Sequence, residues 1–195
     1  MILKNNLSLT LSIVILAFAV NANADNRIPV ENFFCDSAMT SGTLSPNGKY
    51  FAAMVPASGP KCAIESEDEP QSPSVLLVID LETNKPNVLS GTSGGARVIG
   101  FTWLNDSRIA FYRQPQAGLD AYSMWAINID GTKPKELVPG KWEDGYPTGA
   151  SLIDLIEDDD KHVLVSYNKR RPKFTDVYKL NIFSGKLTMV AKDPV

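Results

Sequence analysis

Beyond the first forty residues, the apolar positions of this chain gather in short runs cut by Pro, Asn, Gly and Asp. The runs are Lys49 to Val55, Val75 to Leu81, Arg108 to Arg113, Tyr122 to Ile129, His162 to Tyr167 and Val177 to Ile182. Each is rich in β-branched and aromatic residues, which predicts strands. No window past residue 24 carries a helical stripe at 3.6-residue spacing, so the crossovers of a parallel βαβ fold are missing. Turns such as Pro46-Asn47-Gly48 and Asp130-Gly131 supply the left-handed backbone positions that tight hairpins need.

The runs repeat. "VIDLETNK", "AINIDGTK" and "KLNIFSGK" share an order of apolar, polar, apolar, turn residues and lysine, closing on Lys85, Lys133 and Lys186. Each is led by a second shared unit, "LSPNGKYFAAM", "WLNDSRIAFY" and "LIEDDDKHVLV". The period is about 50 residues, a length typical of repeat architectures. Stretches such as Val75-Leu76-Leu77-Val78-Ile79 and Met124-Trp125-Ala126-Ile127 are apolar on both faces. A strand wetted on one face would alternate, so these belong to sheets covered on both sides, as in a radial stack of blades. The expected fold is all-β, a partial β-propeller of about three four-stranded antiparallel blades near residues 36–91, 96–139 and 149–192.

The opening segment changes where this propeller is expected to work. MILKNNLSLTLSIVILAFAVNANA has Lys4, an apolar run from Leu7 to Val20 and then Ala22-Asn23-Ala24. These are the three regions of a secretory signal peptide, with cleavage expected after Ala24. The run of about 14 residues is shorter than the roughly 20 that span a membrane, so no stable membrane anchor is expected. The domain is then residues 25–195, about 170 residues and enough for a real core, in a periplasmic or secreted protein. The net charge of −3 becomes one unit more negative without Lys4, which argues against nucleic acid as a partner. Export permits a disulfide between Cys35 and Cys62, the alternative being two buried thiols; two cysteines alone make no zinc site.

Candidate chemistry is sparse. Gly91-Thr92-Ser93-Gly94-Gly95 fits Gly-x-Ser-x-Gly, and Ser93, Asp154 and His162 follow the hydrolase order. That nucleophile, however, needs a strand before it and a helix after it, and here strand leads to strand, so the pentapeptide reads as an interblade loop. Glu157-Asp158-Asp159-Asp160 lacks the alternating spacing of a calcium loop and reads as a solvated turn. Lys169-Arg170-Arg171-Pro172-Lys173 reads as a charged hairpin loop, and Glu65 to Pro70 as a surface loop. Trp103 and Trp125 fall inside strands and are expected in the core, whereas Trp142, in "PGKWEDGYPTG", is free to face a ligand. No catalytic, cofactor or metal residues are assigned.

"TLSPNGKYFAAMV", "LLVIDLETNK", "FTWLNDSRIAFYR" and "WAINIDGTKPKELV", after "IPVENFF", resemble the amino-terminal propeller of the prolyl oligopeptidase family of serine peptidases, nearest its acylaminoacyl-peptidase and dipeptidyl-aminopeptidase branch. The resemblance runs from about Ile28 to Val195. It implies a propeller that caps an α/β-hydrolase domain and admits only short or unfolded peptides. No triad position of that family has a counterpart here, so the expectation is a truncated, substrate-gating segment with no activity of its own. The alternative is a stand-alone exported propeller that binds a protein or self-associates. Propellers close with about four to eight blades, so three leave two blade faces bare. About 500 Å² of apolar surface on each would forgo roughly 12 kcal/mol, comparable to the stability of a whole domain. Both flanks are therefore expected to be hydrophobic.

Overall fold

The computed structural model describes residues 39–57, 74–90, 97–114 and 121–194, and every regular element over them is a strand. The expected signal peptide, Cys35, Cys62, Ser93 and the acidic stretch Glu65 to Pro70 lie outside the described residues. Three antiparallel four-stranded sheets follow one another in chain order. Blade one is β1 (Thr40–Leu44), β2 (Tyr50–Pro56), β3 (Ser74–Asp80) and β4 (Lys85–Ser90). Blade two is β5 (Arg97–Asn105), β6 (Arg108–Gln114), β7 (Ser123–Asn128) and β8 (Lys135–Val138). A two-stranded hairpin, β9 (Lys141–Glu143) and β10 (Tyr146–Thr148), precedes blade three: β11 (Ala150–Leu155), β12 (His162–Arg171), β13 (Phe174–Asn181) and β14 (Leu187–Ala191). The chain is a partial β-propeller.

The strand registers make the repeat visible residue by residue. The second and third strands of each blade begin with Tyr50 opposite Asp80, Arg108 opposite Asn128 and His162 opposite Asn181. Two neighbouring pairs along, one face carries Phe51–Ile79 and Ala53–Leu77, then Ile109–Ile127 and Phe111–Trp125, then Val163–Leu180 and Val165–Tyr178. The opposite face carries Ala52–Val78 and Met54–Leu76, then Ala110–Ala126 and Tyr112–Met124, then Leu164–Lys179 and Ser166–Val177. Side chains alternate across a strand, so each blade has a front of mostly large residues and a back of mostly smaller ones.

Fronts pack on backs. Ile109, Phe111 and Ile127, joined by Trp103 and the half-buried Trp125, cover Ala52, Leu76 and Val78. Val163, Val165, Tyr178 and Leu180 cover Ala110, Met124 and Ala126. Blade two is thus buried on both faces, which is why its strands read as continuous apolar runs. Trp103 and Trp125 pack in this core as expected.

The two flanks differ, and the expectation of two hydrophobic flanks is corrected at one of them. Blade one's front is apolar throughout: Phe51, Val55, Val75, Leu77 and Ile79 are half-buried, Ala53 is buried, and Leu44 and Val88 are exposed. Blade three's back is mixed. Lys179 occupies the place of Val78 and Ala126, and its ammonium lies 2.8 Å from an Asp159 oxygen, while the His162 ring nitrogen Nδ1 lies 2.9 Å from the other. A lysine stem covers apolar surface while its head finds a charge, so the position is filled without being hydrophobic. Asp159 is therefore an anchored ion-pair partner in place of the solvated turn residue expected. Lys179 and His162 together hold its carboxyl well below the usual carboxylate range.

The turn end of the fan is stitched across both junctions. Asp106 accepts the Asn47 amide at 2.8 Å, and the Asn105 side-chain amide donates to the Asp160 carbonyl at 2.9 Å. Asn87 reaches the Ile129 carbonyl at 2.9 Å. Among the described residues Arg108 is the largest fully buried side chain, and its partners there are neutral acceptors: the Ile182 carbonyl at 2.9 Å, the Asn128 side-chain oxygen, and the Lys133 carbonyl at 3.1 Å. Its guanidinium also lies 5.2 Å from the Phe183 ring centroid. Burial pulls its pKa down from the free value. One buried cation therefore ties the second strand of blade two to the last turn of blade three.

Candidate functional site

An antiparallel blade sorts its connections by end. The first-to-second and third-to-fourth strand turns, 45–49, 81–84, 106–107, 129–134, 156–161 and 182–186, share the end just described. The segment 139–149 and the β12–β13 tip at 172–173 share the other, the loop end. Long connections borne on one end of a rigid scaffold are where binding residues concentrate. His162 opens β12 at the turn end, bonded to Asp159, while the Asp154 carboxylate accepts the Leu155 amide at 2.9 Å. The acid and the base of the spelled triad each hold a different partner.

Between blades two and three the loop end holds a cleft of about 230 Å³, lined by Tyr112, Tyr122, Pro147, Ser151, Asn168 and Thr175 among others. The β9–β10 hairpin builds its rim. Asp144 and Gly145 both have positive φ, 50° and 77°, the pair of left-handed residues a two-residue hairpin turn requires. Gly140 lets the hairpin leave blade two against backbone: a Cβ there would sit 2.4 Å from the Tyr122 carbonyl carbon. Asn168 then fixes the far side. Its amide donates to the Pro147 and Pro172 carbonyls, both at 2.8 Å, and its oxygen accepts the Gly149 amide at 2.9 Å. The Lys173 ammonium sits 4.8 Å from the Tyr146 ring centroid, so the hairpin leans on the β12–β13 tip.

The chemistry of the cleft is neutral and polar. The Tyr112 hydroxyl accepts the Leu152 amide at 3.3 Å, and burial pushes its phenol above the ordinary tyrosine value. Ser151, Ser166 and Thr175 supply hydroxyls, Tyr122 and Pro147 supply flat apolar surface, and none of the described lining residues is ionised. Trp142, expected to face a ligand, is 49% exposed on the hairpin, opposite Pro147 in register. The basic run beside it is less free than its sequence implies. β12 continues to Arg171, and Arg170 closes a two-pronged pair, at 3.0 and 2.9 Å, on Asp176, whose side chain is fully buried. That pair, with the Asp193 amide at 2.9 Å, draws the Asp176 pKa down to about 2. Such a site can hold an uncharged polar ligand by stacking and hydrogen bonds; among its lining residues no nucleophile has a base beside it. Among the described residues no group of three or more His, Cys, Asp or Glu is placed to hold a metal, and no helix is long and apolar enough to cross a membrane.

No family model and no curated protein matches the chain. Solved structures do match its shape. An oligogalacturonate lyase in complex with manganese aligns at a TM-score of 0.56 and 13% identity, over 82% of this chain and 44% of that one. TolB from Acinetobacter baumannii aligns at 0.47 and 14% identity, over 77% and 31%, and an acylaminoacyl peptidase in complex with Z-Gly-Gly-Phe-chloromethyl ketone at 0.47 and 13%, over 80% and 25%. The chain thus spans less than half the length of each. The blade registers and the lyase alignment define the class, a β-propeller.

Proposed function

We propose that this chain is the substrate-gating propeller segment of an exported serine peptidase of the prolyl oligopeptidase family, with the catalytic groups carried outside these residues. The observation that carries the reading is the loop-end cleft. Its described lining is uncharged, rich in hydroxyls and amides, and flanked by an exposed Trp142, and among those residues no nucleophile has a base beside it. A surface of that kind can select extended peptide by backbone hydrogen bonds and stacking while leaving bond cleavage to another domain. The blade motifs quoted above support the family, and the amino-terminal leader supports export.

Sequencing the transcript that encodes the chain tests the reading. A continuous message coding for further blades and a strand, Gly-x-Ser-x-Gly and helix in succession supports it, as does a fluorophosphonate adduct on that serine in the full product. A message with no hydrolase domain, or an adduct on Ser93 of this chain, contradicts it. The apolar front of blade one favours a second reading, an exported propeller module that binds protein or itself through its open blade faces.

A further inference from the structure

We propose that the cavity at the turn end of the junction between blades one and two binds a guanidinium group brought by a ligand. The template is the next junction along the chain. There Arg108 lays its guanidinium among the Asn128 side-chain oxygen, the Lys133 carbonyl, the Ile182 carbonyl and the Phe183 ring. The repeat carries each of these positions back one blade. Arg108 maps to Tyr50 and Asn128 to Asp80 by strand register; Lys133 maps to Lys85, Ile182 to Ile129 and Phe183 to Asp130 by place in the turn or in the facing blade. Tyr50, Asp80, Lys85, Ile129 and Asp130 all line one cavity of about 250 Å³, together with Asn87. The places that enclose a guanidinium at one junction thus surround open volume at the other.

The chemistry of that volume calls for a cation with several donors. Asp80 stands where the template has a neutral amide, and Asp130 where it has a ring. The Thr83 and Glu82 amides, at 3.0 and 2.9 Å, both bond Asp80 Oδ1, and the Thr132 hydroxyl and amide, at 2.6 and 2.8 Å, both bond Asp130 Oδ1. These bonds hold both carboxyls below the usual carboxylate range, and no hydrogen bond among the described residues uses either Oδ2. The Ile129 carbonyl accepts the Asn87 amide at 2.9 Å and keeps a second lone pair. Tyr50 adds an aromatic ring, as Phe183 does for Arg108. Lys85 also lines the cavity, and two carboxylates outnumber its one ammonium. A planar guanidinium can donate to a carboxylate and a carbonyl at once, which a compact ammonium does less well. The volume falls below the about 300 Å³ at which drug-sized pockets begin, so it suits a group of side-chain size. This site lies at the turn end, apart from the loop-end cleft, and does not rest on the peptide-gating reading.

The test is isothermal titration calorimetry of the purified full chain with arginine amide, with citrulline amide as its neutral isostere, and with a short peptide carrying one central arginine. Arginine amide is expected to bind at one saturable site, and citrulline amide about tenfold or more weaker. Asp80→Asn keeps the turn, because Asn181 bonds the Phe183 and Ser184 amides in the same way in blade three, and it is expected to weaken binding about tenfold. Tyr50→Arg copies the Arg108 arrangement, so it should stay folded by near-ultraviolet circular dichroism and lose the ligand altogether. Equal affinity for the amide and the peptide supports a small guanidino compound as the ligand; a peptide bound at least tenfold tighter supports an arginine carried by a protein. No saturable binding of arginine amide, equal binding of citrulline amide, or binding that survives both variants overturns the site.

Discussion

The two ends of the fan solve different problems. At the turn end short connections repeat with the blade period, and side-chain bonds cross from blade to blade in a row, ending in the buried Arg108. At the loop end the described connections, 139–149 and the β12–β13 tip, follow no such repeat. The contacts there, Asn168 to the hairpin and Lys173 over Tyr146, hold an appended element and leave the blade stacking to the core. The contrast teaches that this chain keeps its architecture and its chemistry apart, so each can be broken without the other.

Arg108 offers the largest break. Replacing it with Met leaves the Ile182 and Lys133 carbonyls and the Asn128 side chain without their donor in a dry junction. Each orphaned acceptor costs about 1–3 kcal/mol, so a loss of about 4 kcal/mol is expected in urea unfolding, with the cleft unable to form in the unfolded fraction. Next comes Gly140→Ala. The added methyl meets Tyr122 backbone, and a strain of about 1–3 kcal/mol is expected. Proteolysis should then cut within 139–149 while the blades keep their protection.

Acid separates the ends in another way. Asp176 titrates at about 2 when folded, below its unfolded value, because Arg170 and the Asp193 amide favour the carboxylate. Its contribution is present above about pH 4 and is lost as pH falls toward 2. Asp176→Asn should therefore lower stability at pH 7 and flatten the acid limb between those values, leaving the slope due to Asp159. Trp142→Ala is the mildest for the fold. Stability should stay within about 0.5 kcal/mol, while the fluorescence change on adding a short unstructured peptide should disappear.

The strands and the three blades were legible because both depend on local alternation and a fixed period. The hairpin β9–β10 was not read from the sequence, although Asp144-Gly145 carried its signal, because strands of three residues leave too short a pattern. The run from Lys169 to Lys173 read as a loop. Charge along a strand hides its period, and only the fold reveals that Arg170 has a buried acid on the next strand. Trp142 was placed correctly from its turn-rich surroundings. The polar flank of blade three was missed because Lys179 stands in a run whose other copies hold Val and Ala, and sequence alone did not reveal that Asp159 waits beside it.

Native-state hydrogen exchange tests the stacking of fronts on backs most directly. β6 and β7, covered on both faces, should exchange slowest of all, with β2, β3, β12 and β13 faster and the hairpin amides fastest. Amides of β6 and β7 exchanging no more slowly than those of β4 and β14 would contradict a blade sandwiched between two others.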